Sequence, residues 1–173
     1  MKRMRLLLPL VTISSLALAY VCAADGPASR PSTASAPTSQ AAGWLTSYAD
    51  AAKLAKETNK PILVDFTGSD WCVWCNRLKA EVFDKQEFKD WAAKNVVLLE
   101  LDFPRNNQQD AETKKVNQDL LKKYDIKGFP TILLLKADGT SIGQTGYIKG
   151  GPKPWLEKAD SILAAPATET PKP

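Results

Sequence analysis

The chain has 173 residues, of which 44% are hydrophobic, and it carries a formal net charge of +4 with no histidine. Its small basic excess lies mostly in the first five positions, so the remainder lacks the clustered Lys and Arg face of a nucleic-acid-binding domain. With three cysteines and no histidine, it also offers too few ligands for a closed zinc site, which takes four. We therefore expect no nucleic-acid partner, no metal and no cofactor.

The first residues have the three-part layout of a secretory signal. Basic residues at positions 2, 3 and 5 precede an apolar run over 6–19, and small residues follow at positions 23 and 24. This pattern predicts a signal peptide over 1–24 and export to the periplasm or cell envelope. Two alternatives stay open: an uncleaved N-terminal membrane anchor, because the run nearly reaches the roughly 20 residues of a spanning helix, and a lipid attached to Cys22.

Two segments of low complexity flank a single domain. Residues 25–43 consist mainly of Ala, Ser, Pro and Thr, and such a composition buries too little to offset the entropy of folding. We expect a flexible linker there and a disordered tail over 164–173. The stretch between them, 44–163, has the usual size of one compact domain.

The first part of this domain alternates helix and strand. Apolar residues recur at helical spacing over 47–57, which predicts an amphipathic helix. Residues 62–66 form a short, nearly continuous apolar run, typical of a strand buried on both faces. Asp65 is the polar exception in that run. A second helix is expected from Cys72 toward Glu81.

The middle part repeats this alternation. Asp84 and Glu87 have the spacing of a capping box, which predicts that a helix begins at Asp84. A second buried strand is expected over 95–102. A helix over 111–124 follows, with Val116 on the stripe that should face the core.

The last part is predicted to be a hairpin and a helix. Strands over 131–135 and 141–145 flank an Ala-Asp-Gly turn. A closing helix is expected over 155–163. Helices that alternate with strands up to a final hairpin predict an α/β fold whose central sheet mixes parallel and antiparallel pairs, with helices on both faces.

A pair of cysteines stands where a helix should follow a buried strand. Cys72 at the helix N-terminus would face free backbone N–H groups, which stabilise a thiolate. Cys75 lies about one turn deeper on the same face, so the two can cycle between dithiol and disulfide by exchange. A purely structural bridge is the alternative, but so short a loop constrains little chain entropy. The placement therefore favours a redox-active pair.

Four landmarks occur in order along the domain: ILVDF, WCVWC, IKGFPT and a glycine at 146. Together they resemble the thioredoxins over 44–163. The resemblance implies a thioredoxin fold of the five-stranded type and a thiol:disulfide oxidoreductase activity. It also implies Cys72 as the nucleophile and Cys75 as the resolving thiol.

The same resemblance implies a substrate groove beside the cysteines. It predicts a cis peptide bond between Phe129 and Pro130, with the Phe129 backbone free to pair with an extended substrate segment, as in strand addition. The residues expected to bind substrate are Trp71, Trp74, Phe129, Pro130 and Gly146.

Asp65 matches the buried acid of the family, with a raised pKa and a role in exchanging a proton with Cys75. It lies seven residues before Cys72, one more than in typical thioredoxins, so an Asp satisfied by backbone N–H groups or water stays open. Leu98 takes the position where the family has a Lys. The segment 103–123 is about a dozen residues longer than usual and is expected to carry partner recognition.

The direction of electron flow is predicted from what surrounds the nucleophile. Val73 and Trp74 cannot donate a strong hydrogen bond to Cys72, and Asp70 adds negative charge, so we expect a poorly stabilised thiolate and a reductant. The expected partners are protein disulfides and an upstream thiol reductase embedded in the membrane, with the protein itself a monomer. A disulfide isomerase, a non-catalytic binding module and a metal-handling protein are the alternatives.

Overall fold

The computed structural model describes residues 43–165. The signal peptide predicted over 1–24, nearly all of the linker over 25–43 and most of the tail over 164–173 lie outside the described residues, so these boundaries stay predictions. No helix between residues 43 and 165 is long and apolar enough to cross a membrane.

A mixed four-stranded sheet forms the centre of the described part. Its strands, in chain order, are β1 (Ile62–Thr67), β2 (Val97–Asp102), β3 (Thr131–Leu135) and β4 (Ser141–Thr145). They lie in the order β2-β1-β3-β4, with β1 parallel to β2 and both other pairs antiparallel. This confirms the mixed sheet and the hairpin.

The expectation of a fifth strand was wrong for the described residues. Leu45 makes a single parallel bridge to Leu99 at the outer edge of β2. Two residues later Ser47 caps the first helix by accepting the Asp50 N–H at 3.3 Å. The chain therefore turns away from the sheet before a strand can form.

Helices cover both faces of the sheet. They are α1 (Tyr48–Thr58), α2 (Val73–Leu78), α3 (Gln86–Asn95), α4 (Ala111–Lys123) and α5 (Pro152–Ala164), and α2 runs on as a π-helical turn over Lys79–Phe83. One core joins Leu63 of β1 to Leu78, Phe88 and Trp155, beneath α2, α3 and α5. The opposite core joins alternate strand residues to α1 and α4. The side-chain alternation of β1 thus supplies both layers.

The predicted capping box at Asp84 was wrong. Helix α3 begins at Gln86, with Lys85 as its N-cap and no side-chain hydrogen bond at the cap. Asp84 instead ends the preceding π-helical turn, and its carboxylate binds the Lys79 ammonium at 2.5 Å. Because the earlier helix extends through Phe83, Asp84 is a C-cap and cannot start a new helix.

The prediction that Val116 lies on the buried face of α4 was wrong, although Leu120 and Leu121 of the same stripe do pack on the core. Val116 is 40% exposed, whereas Asn117 is buried. The Asn117 side chain donates to the Asp102 carbonyl at 3.0 Å, at the end of β2. This polar contact, together with buried Leu120 one turn on, sets the face that α4 turns toward the sheet.

Candidate active site

The two cysteines form a disulfide at the start of α2. Cys72 is the N-cap residue, and its sulfur accepts the Cys75 N–H at 3.2 Å. The Cα atoms are 5.2 Å apart, and the residues are 5% and 4% exposed, respectively. Exposure therefore does not separate the two thiols in this oxidised state. What distinguishes Cys72 is its place ahead of the first helical turn.

On one side of the disulfide, Trp71 is held by several contacts. Its indole N–H donates to the Phe103 carbonyl at 2.8 Å. The Phe129 ring meets it edge-on, with ring centroids 5.7 Å apart. The Arg105 guanidinium lies 3.8 Å from the ring centroid, within the range of a cation–π interaction. Phe103 and Arg105 both belong to the segment that follows β2.

Asp70 ties that segment to the cysteine loop. Its carboxylate accepts the backbone N–H groups of Arg105, Asn106 and Asn107 at 2.7–3.2 Å. These hydrogen bonds, that of Arg105 foremost, lower the pKa of Asp70. Asp70 thus keeps the negative charge predicted two residues before Cys72, and it also holds the segment after β2, a contact that the sequence did not show.

Ser69 adds a second tie between the same segments. Its N–H and hydroxyl both donate to the Asp102 carboxylate, at 2.8 and 2.6 Å. We call residues 69–71 together with 102–107 the clasp. The segment before Cys72 that is one residue longer than in typical thioredoxins thus contains Ser69 and Asp70, which contact the end of β2 and the long connection after it. The sequence did not show these contacts.

The other side of the disulfide is open. Trp74 is 51% exposed, and its ring lies 5.2 Å from that of Tyr147. A groove, here called the basic groove, begins at this pair. Its side chains are those of Trp74, Arg77, Glu81, Lys85, Tyr147 and Lys149.

Positive charge prevails in the basic groove. Its single acid, Glu81, pairs with Arg77 at 3.3 Å and accepts the Tyr147 hydroxyl at 2.7 Å. Among the described residues, no ion pair joins Lys85 or Lys149 to an acid. The groove can therefore attract a negatively charged segment.

The predicted substrate-binding residues form a continuous path around the disulfide. The Phe129–Pro130 bond is cis, as expected. The Pro130 carbonyl lies so near Gly146 that a Cβ there would meet it at 3.1 Å. Tyr147 then joins Gly146 to Trp74. The sequence did not predict Tyr147 as a member of this path. The path consists, in order, of Trp71, Phe129, Pro130, Gly146, Tyr147 and Trp74.

Asp65 lies on β1, and its side chain is on the same face of the sheet as Leu63, the face covered by α2. It is 6% exposed, and its Oδ1 has no hydrogen-bond partner among the described residues. Burial, with Glu100 and then Asp102 adding negative charge, raises the pKa of Asp65 to about 8. Backbone N–H groups of the described residues thus do not satisfy Oδ1, and the alternative of an Asp hydrogen-bonded by water stays open.

The neighbour of Asp65 on β2 differs from the residue that the sequence pointed to. Leu98 is buried and lies opposite Leu63, whereas Glu100 lies opposite Asp65. Residue 98 contributes to the apolar core, and the residue across from the buried acid is itself an acid. The sequence signal for Glu100 was its spacing of two from Leu98, which puts it on the same face.

Comparison with known proteins gives consistent matches. Residues 48–159 match the family described as thioredoxin-like domain. The disulfide bond reductase DsbH of Chlamydia pneumoniae is 37% identical over 117 residues, which are 68% of this chain and 70% of DsbH. A solved structure of a DsbH oxidoreductase superposes with a TM-score of 0.67 at 36% identity, covering 70% of this chain and 83% of that one.

A further match is to part of a much larger protein. The thiol:disulfide interchange protein DsbD of Vibrio vulnificus is 36% identical over 106 residues. These residues are 57% of this chain but only 16% of DsbD. The likeness therefore concerns a small part of that protein.

Proposed function

Since this chain belongs to the thioredoxin-like family and is a thiol:disulfide oxidoreductase, we propose that it reduces disulfides of exported proteins with Cys72 as nucleophile and Cys75 as resolving thiol. The observation that carries the proposal is the Cys72–Cys75 disulfide at the start of α2, with Trp71 and Trp74 next to its two cysteines in the chain. Export rests on the signal-like pattern over 1–24.

The reaction has two exchange steps. The Cys72 thiolate attacks a substrate disulfide, which forms a mixed disulfide and releases one substrate thiolate that takes up a proton. The Cys75 thiol then gives its proton to the Asp65 carboxylate, and its sulfur attacks Cys72. The second substrate sulfur leaves as a thiolate and takes up a proton from water, and the Cys72–Cys75 disulfide remains. An Asp65 that is protonated in this oxidised state agrees with a pKa of about 8.

The reductant direction rests on the donors around Cys72. Its sulfur accepts one backbone N–H, from Cys75. Neither Val73 nor Trp74 can add a strong donor, and the chain has no histidine. A strong oxidant needs a highly stabilised thiolate, so the potential should lie nearer about −270 mV than about −120 mV. DsbH, named a disulfide bond reductase, is similar to this chain and supports the same direction.

An upstream thiol donor must keep such a protein reduced in an oxidising compartment. We propose a membrane-embedded thiol reductase for this step, and the likeness to part of DsbD supports an exchange partner of that kind. The substrate should enter across the aromatic path, with an extended segment pairing with the Phe129 backbone, as in strand addition.

Insulin reduction by dithiothreitol tests the activity. The wild-type protein should accelerate it, and Cys72→Ser should reduce the rate to the uncatalysed level. Equilibration with glutathione then tests the direction. A potential above about −180 mV, the value of a disulfide isomerase, would reject the reductase and leave an isomerase or oxidase; binding of substrates without turnover would leave a binding module.

A further inference from the structure

Two carboxyl groups lie side by side beneath the disulfide. Asp65 of β1 and Glu100 of β2 are partners in the parallel register. Adjacent strands are about 4.8 Å apart, and side chains of paired residues point to the same face. On the other side of Asp65 the paired residue is Ile132, which is apolar. Glu100 is therefore the polar neighbour of Asp65 within the sheet.

This pair lies on the face that carries the cysteines. Leu63 of β1 and Leu78 of α2 belong to the same core. From Leu63, Asp65 is two residues, about 6.6 Å, along the strand toward the disulfide. From Leu78, Cys75 is three residues, about 4.5 Å, back along the helix in that same direction. Asp65 and Cys75 thus both lie toward the connection between β1 and α2, where the disulfide is.

Glu100 lies between the buried Asp65 and solvent in its degree of burial, so it can carry a proton from one to the other. Asp65 is 6% exposed and has an unpartnered Oδ1, whereas Glu100 is only partly buried. Asp102, the next acid on this face of β2, is occupied by two hydrogen bonds from Ser69. Within the described residues, no cation forms an ion pair with Asp65 or Glu100.

The proton affinities of the two carboxyls are consistent with a shared proton. Burial raises the pKa of Glu100, Asp102 adds to the rise, and Lys79 on the π-helical turn opposes it. Lys79 is itself bound to Asp84. Two like charges this close cannot both ionise freely, so removal of one lowers the pKa of the other.

We propose that Glu100 is a positioning residue that holds a proton on Asp65 and passes that proton between Asp65 and solvent. This rests on the proposed exchange between Cys75 and Asp65. When a donor thiolate attacks Cys72, the Cys75 sulfur leaves with the bonding electron pair and takes the proton of Asp65. The Asp65 carboxylate then regains a proton from water through Glu100. In the opposite direction the protonated Asp65 first loses its proton to water through Glu100, and the carboxylate so formed takes the proton of Cys75 when the Cys75 sulfur attacks Cys72.

Titration of Asp65 in the oxidised protein tests this without any substrate. A protonated carboxyl gives an infrared C=O band, and the band that disappears in Asp65→Asn is assigned to Asp65. The pH dependence of that band gives the titration midpoint of Asp65. Its midpoint should fall by about one pH unit or more in Glu100→Gln, because a neighbouring negative charge is removed. Glu100→Lys should lower it further. Glu157→Gln, a change on the exposed face of α5, should leave it unchanged.

An unchanged midpoint in Glu100→Gln would overturn the proposal, and so would equal shifts in Glu100→Gln and Glu157→Gln. Glu100→Gln keeps the shape of the side chain, so the test stands even where Glu100→Lys fails to fold. A second readout is the decay of the mixed disulfide between Cys72 and a substrate: its alkaline-side pH profile should move with the Asp65 midpoint. The titration does not depend on disulfide exchange, so it tests the role of Glu100 even if the protein fails to accelerate insulin reduction. Insulin reduction tests the reductase assignment separately.

Discussion

A tryptophan lies on each side of the disulfide, but the two have different surroundings. Trp71 and Trp74 flank Cys72 at similar distances along the chain, yet Trp71 donates a hydrogen bond and stacks under Arg105, whereas Trp74 is half exposed. In the clasp, the side chains of Ser69, Asp70 and Trp71 all make hydrogen bonds to residues 102–107. The basic groove leaves an aromatic face and two lysines for a partner. The comparison shows that the surroundings, and not the motif, decide which tryptophan is held by its neighbours and which is left exposed; substrate binding by Trp74 stays a prediction.

The clasp also gives the long connection after β2 a structural role. Its first residues, Phe103 and Arg105, contact the cysteine loop directly. Partner recognition by the rest of 103–123 stays a prediction. The segment thus holds one side of the site through its contacts with Asp70 and Trp71.

The largest effect is expected from Cys75→Ser, which should abolish turnover and trap substrates on Cys72. Without the resolving thiol, the mixed disulfide has no internal attacker. Mass spectrometry of the trapped complex, after chemical cross-linking, maps which side of the site the substrate covers. Cross-links to Lys149 and Lys85 are expected. Cross-links confined to the clasp, or adducts on Cys75 in a Cys72→Ser variant, would contradict the comparison and the assigned roles.

The second largest effect separates the two tryptophans. Trp71→Ala should lower the free energy of unfolding by about 2 kcal/mol, since it removes a hydrogen bond and packing in the range of a substantial single mutation. Trp74→Ala should leave stability within about 0.5 kcal/mol and raise KM for protein disulfides. Denaturant unfolding and steady-state kinetics measure both. Equal losses of stability would end the distinction between a positioning and a binding tryptophan.

A smaller effect is expected from the charge of the basic groove. Lys149→Glu should slow the reduction of peptide disulfides with acidic flanks by up to about fivefold, because an exposed ion pair contributes about 0.2–1 kcal/mol. Peptides with basic flanks should gain instead. Lys158→Glu on the exposed side of α5 is the matched control. The same response from both variants would show that net charge, and not the groove, determines the preference.

Sequence patterns predicted the local elements of this fold but not their rotations or contacts. The hairpin over 131–135 and 141–145 was correct because its strands and turn are encoded within a few neighbouring residues. The burial of Asn117 in place of Val116 was missed, because it depends on a carbonyl of β2 that lies distant in sequence. The cysteine pair was found from its motif together with its place after a buried strand and the order of the other landmarks.

The contacts around the cysteines were beyond such patterns. Glu100 faces Asp65 only through the register of two strands that are separated by two helices. Asp70 reaches its three donors across a gap of more than 30 residues. The hydrogen bonds of such a charge cannot be predicted when its partners lie so far along the chain, so the sequence predicted the charge of Asp70 but not its contacts.

The smallest effect is expected from the pH dependence of the clasp. The hydrogen bonds from Arg105, Asn106 and Asn107 lower the pKa of Asp70 in the folded state. A depressed folded pKa means that this carboxylate stabilises the fold above its unfolded value of about 3.9, and that the stabilisation is lost as the pH falls through the folded value. Asp70→Asn should therefore lower Tm slightly at neutral pH and not at acid pH. Asp90→Asn, at a side chain that accepts one hydrogen bond from Gln86, is the control. A Tm difference for Asp70→Asn that persists undiminished at acid pH would show that the side-chain shape, and not its charge, holds the clasp.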